Sequence, residues 1–384
     1  MRIAMIHSYY RDLEKSGENN VVDSQISFLK KMGNEVGLFA SSSLDNQESR
    51  FYELRASANV IFGIGDNPYK FLQEFDPDVI FMHNLFPNIS TKWLHEFGER
   101  TFVFKHNYRD ICASANLYRD NKICLKCVNG SQLNGVINKC YMNSAIKTLP
   151  IAIRNSNYLV HRPEITKPAR FILLSNQMRV LLKASGIDES RCETVPNFVQ
   201  DNYENFQFPK ERNGRWVVAG RFVKEKGFRE LINVWPTEYQ LDIFGDGPLF
   251  LELKSLTRNH PNIQIKGSMN RNELHHLLPQ YSGAIFPSRW YEPGPLVVLE
   301  YLSAGLPLIS VGNWSGAAGL NDKHHIESSN LDSQLIPKML LAKLNWMTSD
   351  LENQSLLQRK EFLSRYTPQI WYESLMKIVL EAKF

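Results

Sequence analysis

The stretch Phe286–Pro307, FPSRWYEPGPLVVLEYLSAGLP, places two glutamates, Glu292 and Glu300, eight residues apart around a proline-rich turn. The turn 291–295 cannot be helical throughout, whereas the apolar run that begins at Leu296 meets no helix breaker before Gly305. The pattern therefore predicts a helix that starts near Leu296.

The start of that helix is a predicted anion site. The first backbone amides of a helix have no partner within it and carry the positive end of its dipole, which favours a phosphate. Pro295 has no amide hydrogen, so the amides of Leu296 and Val297 supply the site. Glu300 lies about one turn inside, where its carboxylate can accept hydrogen bonds from the two hydroxyls of a ribose. Two surface carboxylates are the alternative, but a carboxylate within an apolar run is rarely buried without a partner.

Composition limits the class of protein. A chain of 384 residues, 43% hydrophobic and 22% charged, is long enough for two globular domains of ordinary size. No segment approaches the roughly 18 consecutive apolar residues of a membrane span, and the start MRIAMIHSYYRD is too polar for a signal peptide, so we expect a cytoplasmic protein. A net charge of +4 is too mild to indicate nucleic acid, so any anionic partner must meet local basic patches.

Short β-branched runs alternate twice with amphipathic stretches, which is typical of parallel sheets covered by helices. The predicted fold is α/β, with two doubly wound, Rossmann-like domains. We predict an N-terminal domain over 1–196, a linker over 197–214, a C-terminal domain over 215–365, and a last helix over 366–384 that could cross back to the first domain. The predicted strands are Ile3–His7, Glu35–Ala40, Val79–His83, Thr101–Lys105, Phe171–Leu174, Trp216–Ala219, Leu241–Phe244, Asn262–Lys266, Ala284–Phe286 and Leu308–Val311.

Ligands of such domains bind outside the carboxyl ends of the strands. Arg221 follows the strand that ends at Ala219, and Lys226 opens the next helix, so the two cations could clamp a diphosphate; solvated loop charges are the alternative. Gly245 follows another strand, where a missing side chain lets a ligand approach the backbone. In the first domain, His106 directly follows a predicted strand.

Together these segments resemble the family 4 retaining glycosyltransferases of the GT-B fold, of the type that builds bacterial surface polysaccharides. The resemblance extends over nearly the whole chain and rests on SGENNVVDSQISFLKKMGNEV, GRFVKEKGFRELI, FGDGPL, IKGSMNRNELHHLL and PSRWYEPGPLVVLEYLSAGLPLI. It implies that the two domains face each other across a cleft. One departure is Gly294-Pro295, which follows Glu292 and Pro293 where many members carry Phe-Gly.

The resemblance also implies roles for single residues. Glu292 and His106 would act on the transferred sugar and are the predicted catalytic residues, Arg221 and Lys226 would hold the donor diphosphate, and Glu300 the ribose. Gly17 matches a glycine loop near the phosphates. The predicted donor-binding residues are Gly17, Arg221, Lys226, Gly245, Gly294, Pro295, Leu296, Val297 and Glu300.

The implied activity is that of a retaining hexosyltransferase that needs no cofactor for catalysis. Its partners would be a UDP- or GDP-linked sugar and a glycan or polyprenyl-linked acceptor, in the assembly of O-antigen or capsule. Two alternatives stay open. A nucleotide-sugar epimerase of the same fold would act without an acceptor, and a non-catalytic, zinc-stabilised protein would bind nucleotide or glycan without turnover.

Four of the five cysteines cluster in a predicted insertion at about 107–141. Cys112, Cys124, Cys127 and Cys140 have the spacing C(x11)C(x2)C(x12)C, and four thiolates suit tetrahedral zinc. Such a zinc would be structural. Ordinary buried or loop cysteines are the alternative.

The segment Lys139–Arg170 carries six basic residues and one acid, Glu164, interleaved with apolar residues. A basic amphipathic segment can lie on an anionic bilayer, which predicts peripheral contact with the inner face of the cytoplasmic membrane. The alternative is a helix that packs on the first domain, is broken at Pro150 and has a solvated basic face.

Overall fold

The computed structural model describes residues 1–9, 17–42, 51–156, 161–204, 212–311, 325–326 and 335–382. The chain divides into two compact units. The first comprises Met1–Leu117, Cys124–Pro196 and Tyr372–Phe384, and the second comprises Tyr118–Ile123 and Asn197–Trp371. Positions 205–211 of the predicted linker and 157–160 of the basic segment lie outside the described residues.

The first unit is built on a parallel sheet with the strand order β2-β1-β3-β4-β7-β8. Strands β3 and β4 are buried along their whole length, which is why their sequences VIFM and TFVFK show no polar alternation. Up to β8, the chain forms β1 (Arg2–Tyr9), α1 (Gly17–Lys31), β2 (Glu35–Ser42), α2 (Tyr52–Phe62), α3 (Tyr69–Phe75), β3 (Val79–Met82), α4 (Leu94–Phe97), β4 (Thr101–Lys105), the hairpin β5 (Tyr118–Arg119) and β6 (Lys122–Ile123), α5 (Leu133–Ile137), α6 (Ala145–Asn155), α7 (Pro163–Thr166), β7 (Arg170–Leu173), α8 (Asn176–Leu182) and β8 (Cys192–Thr194).

The second unit has a parallel sheet with the order β11-β10-β9-β12-β13-β14. Its core packs aromatic side chains such as Trp216 and Tyr301 against the strands. Its elements are β9 (Arg215–Ala219), α9 (Phe228–Val234), β10 (Gln240–Phe244), α10 (Phe250–Leu256), β11 (Ile263–Gly267), α11 (Arg271–Leu277), β12 (Gly283–Phe286), α12 (Leu296–Ser303), β13 (Leu308–Val311), β14 (His325–Ile326), α13 (Leu335–Thr348), α14 (Leu351–Arg365) and α15 (Pro368–Glu381), whose last part, from Tyr372, belongs to the first unit.

The predicted strands are all present, with ends that move by one or two residues. Among the described strands, β8, the hairpin β5–β6 and the two-residue strand β14 were not predicted from the sequence. These elements are two or three residues long, too short to show a period in the sequence. The expected break at Pro150 is wrong, because α6 continues to Asn155. Pro150 lacks only the hydrogen bond that its own amide would donate, and the rest of the helix persists around it.

Two arginines of the basic segment form ion pairs with buried carboxylates; Arg162 is itself buried and Arg154 is partly buried. Arg162 pairs with Asp110 at 2.7 Å and with Glu164 at 3.1 Å, and Arg154 contacts the same two carboxylates. Burial alone would raise the pKa of Asp110, but Lys105, Arg162 and Arg154 hold it well below its usual range. This network ties the segment after α6 to the end of β4. No described helix is long and apolar enough to cross a membrane.

Candidate active site

The topology of the second unit brings the predicted donor-site residues to one sheet edge. The strand order reverses between β9 and β12, and ligands of open parallel sheets bind at such a switch point, beyond the carboxyl ends of the strands. The loop after β9 carries Arg221 and Lys226, and the loop after β12 carries Glu292. Arg221 is exposed on its loop. Residues distant in sequence are thus neighbours because both strands end at the same edge.

Glu292 is buried and paired with a cation. Its Oε1 accepts hydrogen bonds from the ammonium of Lys226 and from Ser288 Oγ, the latter at 2.7 Å, while only 4% of the residue is exposed. Lys226 Nζ also lies 5.7 Å from the centre of the Trp290 ring. Gly227 lets the loop after β9 lie close to the loop after β12. Its φ is +73°, and a Cβ there would lie 2.1 Å from the carbonyl oxygen of Pro287.

Glu300 is also buried and paired. Its Oε1 lies 2.5 Å from Arg271 Nη2 and 3.7 Å from His275 Nε2. The backbone carbonyl of His275 accepts a 2.5 Å hydrogen bond from Tyr203. Neither Arg271 nor His275 was predicted as a site residue, although both lie in the motif IKGSMNRNELHHLL. The signal was the spacing of Arg271 and His275, four residues apart and so on one face of α11.

The helix that follows the turn begins where the sequence predicts. Helix α12 starts at Leu296, with Pro295 as an extended N-cap at φ −73° and ψ 112° and no side chain capping the first turn. The amides of Leu296 and Val297 therefore have no acceptor from within the helix. Gly294 is held by its carbonyl oxygen, which accepts a 3.0 Å hydrogen bond from Asn197 Nδ2.

Gly245 allows two loops to pack closely, a role that the sequence did not reveal. Its φ is +147°, and a Cβ at this position would lie 1.9 Å from the carbonyl oxygen of Gly220. The loops that follow β9 and β10 therefore pack backbone against backbone. This contact requires glycine whether or not a ligand also approaches.

In the first unit, His106 belongs to a group of three histidines, of which His7 and His83 are buried and His106 is partly buried. His106 Nε2 lies 2.8 Å from His83 Nδ1, and the two rings stack with their centres 5.1 Å apart. His7 lies edge-on to His83 at 6.1 Å and bonds Asn19 Oδ1 through Nε2 at 3.1 Å. Burial lowers the pKa of His7 to about 4 and that of His106 to about 3, so the group is neutral at physiological pH.

The remaining predicted residues lie in the first unit. Gly17 is the first residue of α1, and a Cβ there would meet no atom within 4 Å. The four clustered cysteines are not joined in disulfides within the described residues. The pKa of Cys127 is raised to about 11, first by burial and then by Cys112, Cys140 and Cys124, so Cys127 lies within range of the charge of the other three thiols. Within the described ranges, no three or more His, Cys, Asp or Glu side chains are arranged to hold a metal, and the zinc site stays a prediction.

The first unit also contains a cavity of about 260 Å³. Its wall combines apolar residues, among them Phe62 and Phe86, with Lys92, Glu164 and the two arginines that are paired with Glu164, Arg154 and Arg162.

Fold and site together define the class: the chain is a glycosyltransferase with the GT-B fold, and both predictions are confirmed by comparison with known proteins. Residues 199–350, which carry every candidate of the second unit, match the family described as Glycosyl transferases group 1. No curated protein matches the chain by sequence.

Solved structures show the same fold over the whole chain. The lipopolysaccharide outer core galactosyltransferase WaaB, in its apo form, has 15% sequence identity and a TM-score of 0.64, with all of both chains covered. A glycosyltransferase from Rickettsia africae ESF-5 has 12% identity and a TM-score of 0.65, over 99% of this chain and 98% of that one. Anabaena Alr3699/HepE in complex with UDP has 14% identity and a TM-score of 0.62, over 99% and 100%.

Proposed function

We propose that the protein is a family 4 retaining glycosyltransferase that transfers a sugar from a UDP-sugar to a glycan or polyprenyl-linked acceptor during assembly of a bacterial surface polysaccharide. The observation that carries this proposal is the pair of buried carboxylates, Glu292 and Glu300, each held by a cation at the switch point of the second unit. Similar structures support the choice of base and pathway. Alr3699/HepE was solved with UDP and with UDP-glucose, and WaaB is a lipopolysaccharide galactosyltransferase.

The paired carboxylates are suited to different parts of the donor. Glu300 can accept hydrogen bonds from the ribose hydroxyls, and Arg271, which now occupies its Oε1, must then share that oxygen or move aside. Lys226 has three N–H donors, so it can hold Glu292 and still reach a phosphate. The ammonium, Arg221 and the amides at the start of α12 would stabilise the charge of the departing diphosphate.

In the proposed reaction, the bond between the anomeric carbon and the diphosphate oxygen breaks while the acceptor oxygen bonds to the same face of the sugar. The acceptor proton passes to the departing phosphate oxygen, and the products are UDP and the glycosylated acceptor. Glu292 would stabilise positive charge on the sugar through its carboxylate. His106 is proposed to contact the sugar hydroxyls as a neutral imidazole, because burial lowers its pKa to about 3. No step requires a metal ion, and the predicted absence of a catalytic cofactor stays a proposal.

Thermal unfolding with and without nucleotides tests the donor site. UDP and UDP-sugars at about 100 times their Kd should stabilise the protein by about 2.7 kcal/mol, and GDP should not. Glu300→Gln should abolish the shift, whereas Glu273→Gln, the same chemical change at an exposed position of α11, should preserve it. A shift that persists in Glu300→Gln would reject the assigned ribose contact, and no response to any nucleotide would reject the donor site.

Incubation with a UDP-sugar separates the proposal from its alternatives. An epimerase would form an isomerised nucleotide sugar without an acceptor, and a binding protein would show a UDP-dependent shift but no turnover. The proposed transferase should release UDP in step with acceptor glycosylation. NMR of the product decides the stereochemistry, since inversion at the anomeric carbon would contradict a retaining mechanism.

A structural zinc held by Cys112, Cys124, Cys127 and Cys140 is a separate proposal. Four thiols provide the right ligand chemistry, but their described arrangement is not that of a ligand set, so coordination would have to draw them together. We expect metal analysis of the purified protein to find about one zinc per chain, lost in Cys127→Ser and kept in Cys192→Ser. A wild-type protein without zinc would reject this proposal.

We also propose that the protein works at the inner face of the cytoplasmic membrane. A lipid-linked acceptor is amphipathic and would be presented there.

A further inference from the structure

Helices α2, α5 and α6 of the first unit pack side by side and expose large apolar side chains. Lys147 Nζ on α6 donates to Glu53 Oε1 on α2 at 2.7 Å, which joins the two helices. We call their outer surface the α2–α5–α6 face. The large apolar residues exposed on these helices and in the segments next to them are Phe51, Leu54, Phe62, Leu133, Ile137, Met142, Ile146 and Leu149.

The apolar side chains on these helices are largely exposed to solvent. Phe51, directly before α2, and Leu54 and Phe62 within it are 62%, 69% and 65% exposed. Ile146 and Leu149 are three residues apart on α6, and Ile146 is 84% exposed. Single exposed apolar residues are ordinary, but a cluster on packed helices marks an interaction surface.

The charge of this face selects the kind of partner. The segment 124–156, which contains α5 and α6, carries four basic residues and no acidic one. Lys126 and Lys139 are exposed and make no ion pair with any residue that the structure describes. Arg154, by contrast, is occupied by buried carboxylates and contributes nothing to the surface.

We propose that the α2–α5–α6 face docks on an anionic lipid bilayer, with the apolar side chains in the acyl boundary and Lys126 and Lys139 at the headgroups. A second copy of the chain is a poorer partner, because a two-fold contact would bring the same uncompensated lysines together. The inference rests on the proposed function in one respect: a lipid-linked acceptor would be reached at this surface. Phe62, which is exposed at the end of α2, also lines the cavity of the first unit.

Vesicle binding of the full chain tests the proposal. The wild-type protein should sediment with vesicles of phosphatidylglycerol and phosphatidylcholine in equal parts and far less with phosphatidylcholine alone. Ile146→Glu should reduce binding at least tenfold. Leu251→Glu, at a 79% exposed position of α10 in the second unit, should bind as wild type. Lys126→Gln and Lys139→Gln should each weaken binding about fivefold, and added salt should weaken it further.

Leu54→Glu on α2 provides a second, independent variant should Ile146→Glu not fold. Equal binding by wild type and both glutamate variants would overturn the proposal, as would no binding to anionic vesicles. A wild-type dimer that Ile146→Glu dissociates would assign the face to a second copy instead. The UDP-induced thermal shift, measured on the same preparations, separates the two proposals. A glutamate variant that keeps the shift but loses vesicle binding supports membrane docking. A wild-type protein that shows no shift with UDP contradicts the donor site and leaves the docking proposal to be decided by vesicle binding.

Discussion

The buried histidines of the first unit should make that unit less stable as the pH falls. Burial lowers the pKa of His7 from 6.5 to about 4. Between these two pKa values, His7 is protonated in the unfolded chain and neutral in the folded unit. Unfolding is then coupled to proton uptake, and the stability rises with pH. The stability is complete above about pH 6.5, falls as the pH drops through the interval between the two pKa values, and levels off below about pH 4.

The magnitude follows from the two pKa values. Lowering the pH from 8 to 5 should reduce the free energy of unfolding of the first unit by about 2 kcal/mol, because His7 takes up a proton in the unfolded chain but stays neutral in the folded unit. His106, with a pKa of about 3, adds an effect of similar size, although the contributions of neighbouring histidines are not additive. Such a loss is a large part of the roughly 5–15 kcal/mol that stabilises a typical domain.

Hydrogen exchange of peptides from β1 and β9 measures the two units separately. After correction for intrinsic exchange rates, protection of β1 should fall at least about 30-fold from pH 8 to pH 5. His7→Asn removes the titrating group, and its β1 protection should depend less on pH by about that factor. An unchanged pH dependence in His7→Asn would refute the argument, because it would show that His7 is as easily protonated in the folded unit as in the unfolded chain.

Two further substitutions test the packing of the second unit. Lys226→Ala leaves the buried Glu292 without its cation and should lower the free energy of unfolding by about 2 kcal/mol, below the roughly 3–5 kcal/mol of a fully buried pair, because the Lys226 side chain is 24% exposed. Adding Glu292→Gln should restore most of that loss in urea denaturation; no recovery would contradict the ion-pair argument. Gly245→Ala should cost more than about 3 kcal/mol because its Cβ would collide with the Gly220 carbonyl. Gly267→Ala, also at positive φ but with no atom within 4 Å, should cost about 1 kcal/mol, and equal losses would refute the collision.

Local features of the sequence predicted much of the fold. Helix α12 begins at Leu296 as expected, because Pro295 forces an extended backbone and the apolar run after it has no breaker. Strand β4 occupies the predicted residues Thr101–Lys105, because a strand buried on both faces reads as a continuous apolar run. Such signals depend only on neighbours along the chain.

The partners of the site residues depended on the tertiary structure. The sequence by itself identified Glu292, Glu300 and His106 as candidates, but it did not pair Glu300 with Arg271 or place His7 and His83 beside His106. The physical reason is the topology of a parallel sheet. The strands β1, β3 and β4 end at the same edge, so the three histidines meet although they are far apart in the chain, and no local period records which strands will be neighbours.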